Sequence, residues 1–127
     1  MTIRILLVDD LLLDVALTRR ALDDCDVDHD IAVACDGEEA YALAGRQHFD
    51  LLLLDIKMPR VDGFELMQRL RDHAARRLPV IILSGSALET DRRRADALGA
   101  IEYVHKAFDY ADFRHSLKTA MGRHGFC

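Results

Sequence analysis

Leu51-Leu52-Leu53-Leu54-Asp55, four leucines closed by an aspartate, is the stretch that decides the fold. A run this short and this apolar reads as a strand buried on both faces, the kind found in parallel sheets. Three other runs have the same form. Ile3-Arg4-Ile5-Leu6-Leu7-Val8 ends in Asp9-Asp10, Val80-Ile81-Ile82-Leu83 ends in Ser84, and Ile101-Glu102-Tyr103-Val104-His105 ends in Lys106. A fifth strand-like run lies at about 30–35, and helical patterns separate them all. In an open sheet of this kind, ligands sit outside the carboxyl ends of the strands. Three carboxylates, a hydroxyl and an ammonium therefore meet on one rim, a set that suits a divalent cation and a phosphoryl group.

Working outward, the helical segments carry apolar faces. Leu13, Leu17, Ala21 and Leu22 are expected to pack in the first helix, Ala40, Leu43 and Ala44 in the second, and Leu66, Met67 and Leu70 in the third. Leu88, Ala95 and Leu98 serve the fourth, around 87–98, which also carries Asp91-Arg92-Arg93-Arg94. Tyr110, Phe113, Leu117, Ala120 and Met121 line the last. Asp36-Gly37-Glu38-Glu39 reads as a turn and an acidic first helical turn, Gly99 as a helix stop, and Pro79 as a strand opening. Five βα units with right-handed crossovers predict an α/β fold: a five-stranded parallel sheet with five helices on both faces, flavodoxin-like and doubly wound.

The 127 residues are one domain by length, and half of them are apolar. A net charge of -5 gives no electrostatic case for nucleic-acid binding. The apolar runs fall well short of the ~20 residues of a membrane span, and residues 1–10 form no secretory signal, so the expected location is cytoplasmic. Cys25, Cys35 and Cys127 are odd in number, far apart and without a C-x-x-C pair. They are expected to be free packing thiols in a reducing cytosol, with Cys127 exposed and neither a disulfide nor a zinc site among them.

Mg²⁺ takes oxygen ligands, keeps several waters, and binds through one or two carboxylates plus phosphate. Asp9, Asp10 and Asp55 supply such ligands. Three clustered carboxylates need a compensating cation, either a metal or the ammonium of Lys106. Aspartate is also a nucleophile toward phosphorus, and Asp55, alone at the end of its strand, is the natural acceptor. Transfer then depends on neutralising charge at the phosphoryl oxygens, for which Mg²⁺, Lys106 and Ser84 are suited. Taken singly, a strand-end Asp is usually a helix cap and Ser84 a turn residue. Their occurrence together at four strand ends favours a site.

Val8-Asp9-Asp10, the block Leu54-Asp55-Ile56-Lys57-Met58-Pro59-Arg60-Val61-Asp62-Gly63, Leu83-Ser84-Gly85 and Tyr103-Val104-His105-Lys106 resemble the receiver domain of bacterial two-component response regulators. The resemblance spans about residues 3–122 of a single domain, 1–127. It implies that Asp55 takes a phosphoryl group from the phosphohistidine of a sensor histidine kinase or phosphotransfer protein. It further implies that Asp10, Asp55 and the main-chain carbonyl of Lys57 bind Mg²⁺, with Asp9 contacting the ion directly or through water. Ser84 and Lys106 would hold the phosphoryl oxygens. Tyr103 occupies the family's aromatic switch position, and phosphorylation would bias the surface of the fourth helix, fifth strand and fifth helix. The only catalysis expected of such a signalling protein is its own phosphorylation and dephosphorylation.

The family's usual Pro after the Lys is Ala107 here, and a non-proline cis bond costs about 2.5–4 kcal/mol, so a trans Lys106–Ala107 bond is expected. Leu11-Leu12-Leu13 replaces the more polar residues usual after the acidic pair. Either an exposed docking patch or ordinary helix packing follows. Lys57 flanks the acceptor and is placed to pair with an acidic neighbour. Arg92-Arg93-Arg94 is a solvated face, or meets Glu102, Asp109 or Asp112 across a two-fold homodimer. The pattern leaves only residues 123–127 after it, so a stand-alone receiver is expected. Residues 14–22 have a short similarity to regulators paired with bacterial phytochrome kinases. A phosphorylation-independent adaptor and an intermediate phosphorelay carrier are the alternative readings. A haloacid-dehalogenase-like phosphatase needs an Asp where Lys57 stands, and a flavodoxin-like cofactor binder needs a phosphate loop after the first strand that is absent.

Overall fold

Alternation within the apolar runs sorts their side chains into two cores, one on each face of the sheet. Leu6, Val8, Leu52, Leu54, Val80 and Ile82 point to one face, and Ile5, Leu7, Leu51, Leu53, Ile81, Leu83 and Val104 to the other. The computed structural model describes residues 2–58, 62–73, 77–106 and 109–127. The chain runs β1 (Thr2–Val8), α1 (Leu12–Asp23), β2 (Asp28–Ala34), α2 (Gly37–Arg46), β3 (Leu51–Leu54), α3 (Gly63–Arg71), β4 (Val80–Ser84), α4 (Glu89–Ala97), β5 (Glu102–His105) and α5 (Tyr110–Gly122). The five strands are parallel, in the order β2-β1-β3-β4-β5. This is the α/β doubly wound, flavodoxin-like fold expected from the sequence.

Helices cover both faces. Ala40 and Ala44 of α2, Phe64, Leu66, Met67 and Leu70 of α3, and Ala95 of α4 close one core. Val15, Ala21 and Leu22 of α1 with Phe113, Leu117, Ala120 and Met121 of α5 close the other. Full burial of each large aliphatic side chain contributes about 1.5–3 kcal/mol. Local signals also act as expected. The Asp36 side chain accepts a hydrogen bond from the Glu39 N–H at 2.9 Å and caps α2, and Gly99 adopts φ 95° just past α4. Because the chain goes from β1 outward to β2 and then returns to β3, the connections diverge between the carboxyl ends of β1 and β3. That crevice is where ligands bind in open sheets.

Three sequence expectations are corrected. In α1, Val15, Thr18, Ala21 and Leu22 set the inward phase, which turns Leu13 to the opposite face. Leu11, Leu12 and Leu13 are all exposed, Leu12 by 78% and Leu13 by 71%, so they form a surface patch and not core. Leu88 is exposed as well, because it is the N-cap position of α4 and not part of its packing face. Cys25 and Cys127 are not free thiols but a disulfide, with Cα atoms 5.0 Å apart. A sequence separation of 102 hides that pairing from any spacing rule. The packing of α5 beside α1 brings them together, and Cys127 is half-buried. Cys35 is the free, exposed cysteine.

Candidate functional site

The β1 and β3 ladders run straight into the acids at their ends. Asp9 N–H donates to Ala34 O at 3.1 Å, and Asp55 N–H donates to Val8 O at 2.9 Å. Both carboxylates are then held alike. Asp9 Oδ1 accepts from the Leu11 N–H at 3.0 Å, and Asp55 Oδ1 accepts from the Lys57 N–H at 3.1 Å. Each main-chain bond satisfies one oxygen and sets the rotamer, so Oδ2 of each acid turns toward the rim. Asp9 and Asp55 are buried, while Asp10 is exposed. One oxygen from each of the three lies within 4.8 Å of the others.

Lys106 crosses the rim from the end of β5. Its ammonium donates to Asp9 Oδ2 at 2.7 Å and to Asp14 Oδ2 at 3.0 Å, and lies 3.5 Å from Asp55 Oδ2. The Lys106 N–H donates to Ser84 O at 2.7 Å, which ties the loop after β5 to the end of β4. Burial pushes the Asp55 carboxyl above the usual carboxylate range, and the nearby Asp9 charge adds to this. Lys106 and the Lys57 N–H pull in the other direction without cancelling it. Burial alone would lower the Lys106 ammonium, but its bond to Asp9 and the charges of Asp55 and Asp9 outweigh that and raise it. Lys106 is therefore a firmly charged counter-ion to the cluster.

Ser84 is fully buried, and its hydroxyl oxygen accepts from the Ser86 N–H at 3.1 Å. Ser86 links this loop to α4 and to β5. Its hydroxyl donates to Asp91 Oδ2 at 2.6 Å, and its carbonyl accepts from the Tyr103 hydroxyl at 2.9 Å. Tyr103 is half-buried, with the Arg92 guanidinium 4.9 Å from its ring centre. Lys57 extends from beside Asp55 toward Asp91, 3.9 Å away. The acidic neighbour of Lys57 is thus a residue of α4.

Asp9, Asp10, Asp55, Ser84 and Lys106 come together at one rim, with Lys57 and Tyr103 on its flank. Asp14, Ser86 and Asp91 also take part, and sequence reasoning passed over all three. For Asp14 a signal existed: it is an acid in the first turn of α1, just after the Asp9-Asp10 pair. For Ser86 and Asp91 no spacing announced the bond between them. Gly63 is a further requirement of the site. A Cβ there would stand 2.5 Å from the Ile56 Cα, so only glycine lets α3 start against the backbone that follows Asp55. Pro59, Arg60 and Val61 lie outside the described residues. So does Ala107, and with it the expected trans bond after Lys106.

The other arginines of α4 are engaged within the chain. Arg93 pairs with Glu89 at 3.5 Å, and Arg94 covers the Phe64 ring at 4.3 Å. Glu102 takes Arg123 at 2.8 Å. Among the described residues, no helix is long and apolar enough to cross a membrane.

A family model described as the response regulator receiver domain matches residues 5–118. A gliding motility regulatory protein of Myxococcus xanthus is 44% identical over 105 residues, 82% of this chain and 13% of that protein. The chain spans from about an eighth to about half of the length of the curated relatives it matches. Among solved structures, the phosphorylated cyanobacterial phytochrome response regulator RcpA superposes with a TM-score of 0.84 at 27% identity, covering 95% of this chain and 92% of that one. The Mn²⁺-bound form of response regulator Rcp1 gives 0.81 at 28% identity, covering 97% and 92%.

Proposed function

The chain belongs to the response regulator receiver family, and from that premise we propose that it accepts a phosphoryl group on Asp55 and passes the event to a partner as a conformational change. The donor is the phosphohistidine of a sensor histidine kinase or phosphotransfer protein in the cytoplasm. The observation that carries this reading is the matched pair of carboxylates. Asp9 and Asp55 each have Oδ1 held by a main-chain N–H and Oδ2 turned toward the Lys106 ammonium. One reactive oxygen is thereby presented in fixed geometry beside a cation suited to the incoming phosphoryl charge.

The donor set fits Mg²⁺. Asp9, Asp10 and Asp55 offer three hard oxygens within 4.8 Å of one another, and one of these residues faces solvent, as an ion that keeps waters requires. Asp10 and Asp55 would hold it with the Lys57 carbonyl, and Asp9 directly or through water. When bound, Mg²⁺ supplies positive charge against the phosphoryl oxygens. Asp55 Oδ2 attacks phosphorus, the P–N bond to the donor imidazole breaks, and its electron pair returns to that ring. Lys106 then exchanges part of its contact with Asp9 and Asp14 for a phosphoryl oxygen. Ser84 donates its hydroxyl to another, which it can do while still accepting from the Ser86 N–H at 3.1 Å, so the Ser84–Ser86 loop is drawn in with it. Ser86 also accepts from Tyr103, so the same movement withdraws a partner from the aromatic ring.

Incubation with acetyl phosphate, read on a phosphate-affinity gel, tests the reading. Label should require both Asp55 and Mg²⁺. Label retained by Asp55→Asn, or unchanged with a chelator, would refute it. A homodimer across α4, β5 and α5 would have to give up an internal pair, and the exposed Arg93–Glu89 pair at 3.5 Å costs least to break, which leaves Arg93 to meet Asp109 or Asp112 of a second copy. Light scattering of phosphorylated Arg93→Glu should then give a monomer mass, and an unchanged mass would end that idea.

A further inference from the structure

The disulfide joins two places that have no part in phosphoryl chemistry. Cys25 lies just past α1, and its N–H donates to Leu22 O at 3.1 Å. Cys127 closes a segment that folds back after α5. Gly125 turns that segment with φ 78°, a conformation that glycine adopts without strain. The Phe126 N–H donates to Met121 O at 3.0 Å, and its carbonyl lies 2.7 Å from His29 Nε2 of β2. Phe126 and Cys127 pack against the same core as Val27, Ile31 and Val33. Positions 27, 29, 31 and 33 share one side of the β2 segment, and β2 is an edge strand of the sheet. The segment thus covers the side of the edge strand that α1 leaves partly open, and four separate features hold it there: a glycine turn, a histidine contact, an aromatic plug and the disulfide.

Both cysteines are only partly buried, so an attacking thiolate can reach them. We propose that Cys25–Cys127 is a site of reversible thiol–disulfide exchange whose redox state decides whether residues 125–127 are clamped over β2. A dithiol reductant drives the release. One of its thiolates attacks a sulfur of the pair and forms a mixed disulfide, and its second thiol displaces the other bond. Cys25 and Cys127 leave as thiols, and the reductant becomes a disulfide, with two electrons and two protons transferred. A disulfide oxidant of the glutathione class reverses the exchange. In a reducing compartment such a bond responds to redox conditions and is not a permanent staple. It would give the domain a second covalent input, at the opposite end of α1 from Asp55 and independent of the phosphoacceptor reading.

The experiment uses the full chain in a Cys35→Ser background, so that the free thiol takes no part in reshuffling. Protein equilibrated in glutathione redox buffers is alkylated and weighed intact. It should pass from no adducts to two with a single midpoint. Hydrogen exchange is then followed on oxidised protein, on protein reduced with dithiothreitol, and on Cys127→Ser. Amides of β2 and of residues 125–127 should exchange faster by roughly tenfold or more in the last two forms, with β3 and β4 unchanged. Two adducts after oxidation by glutathione disulfide would overturn the proposal, because the bond would not form. Equal exchange at β2 in oxidised and reduced protein would overturn it too, because the bond would clamp nothing.

Discussion

Replacing Lys106 with methionine keeps the apolar stem and removes the charge. The ammonium stands 2.7, 3.0 and 3.5 Å from carboxylate oxygens of Asp9, Asp14 and Asp55. At an effective dielectric of about 20, each such pair attracts by roughly 5–6 kcal/mol before desolvation is counted. The desolvation cost of the lysine cancels much of that total. What remains in the variant is a buried Asp9 and a buried Asp55 with no cation between them, and stripping one partner from a buried pair costs about 3–5 kcal/mol. Against a domain stability of about 5–15 kcal/mol, Lys106→Met should leave a fragile fold in chelator. A metal ion in the proposed site replaces the missing charge, so Mg²⁺ should stabilise the variant more than the wild type. Free ion at a hundred times its dissociation constant adds about 2.7 kcal/mol, and the variant, freed from competition with the ammonium, reaches that ratio at lower Mg²⁺. Urea unfolding of both proteins at pH 7, with EDTA and with Mg²⁺, measures both quantities. A loss below about 1 kcal/mol in EDTA, or equal Mg²⁺ increments, would refute the compensation reasoning.

The Asp55 carboxyl is raised by burial, so without metal the folded state binds its proton more tightly than the unfolded chain does. Stability then falls as pH rises from about 4, the unfolded carboxylate value, through the folded one, and the ionised acid remains a cost at pH 7. Asp55→Asn should therefore stabilise the metal-free protein at pH 7 by of order 1 kcal/mol and lose that advantage below about pH 4, as read by thermal unfolding across pH in chelator. Lys106, raised by its acidic partners, contributes fully below about pH 10 and loses that contribution as pH climbs past its folded value. Gly63→Ala drives a Cβ to within 2.5 Å of backbone. It should cost about 1–3 kcal/mol or more in urea, and a change under about 0.5 kcal/mol would mean that α3 shifts freely. Leu12→Gln with Leu13→Gln touches no core, so stability should hold within about 0.5 kcal/mol. If this patch beside the acidic rim seats the phosphohistidine protein, transfer from that protein should slow while labelling by acetyl phosphate does not; equal slowing of both would argue against docking there.

Legibility followed what each position depends on. A residue at the end of a buried parallel strand is placed by the sheet itself, and the sheet is written in the apolar runs. Asp9, Asp55, Ser84 and Lys106 are therefore legible as one rim from the apolar runs alone. Leu13 and Asp14 depend instead on the phase of α1. Periodicity there was ambiguous, because Leu11, Leu12, Leu13 and Leu17 outnumber the small residues that face the sheet. Val15, Thr18, Ala21 and Leu22 take the inward face, and the same phase that exposes Leu13 brings Asp14 onto Lys106. Ser86 and Asp91 depend on the course of a loop, for which no periodic signal exists. Cys25 and Cys127 depend on the packing of α5 beside α1 and on one positive-φ glycine.

This division bears on the switch itself. In the proposed switch, the acids and the lysine that would meet the phosphoryl group sit at the ends of strands, the part of the fold set by the sheet. Ser86, Asp91 and Lys57 sit on the part set by helix phase and loop course, where alternative arrangements differ little in energy, and Tyr103, though on β5, is tied to that part through its hydroxyl. A Lys57–Asp91 pair at 3.9 Å with an exposed lysine is worth well under about 1 kcal/mol, and the Tyr103–Ser86 hydrogen bond about 1 kcal/mol. The attraction of Lys106 and Ser84 to a doubly charged group at Asp55 exceeds both together. A strand-anchored acceptor joined to weakly held neighbours would let the proposed phosphorylation repack the surface of α4 and β5 while the cores on both faces of the sheet stay intact.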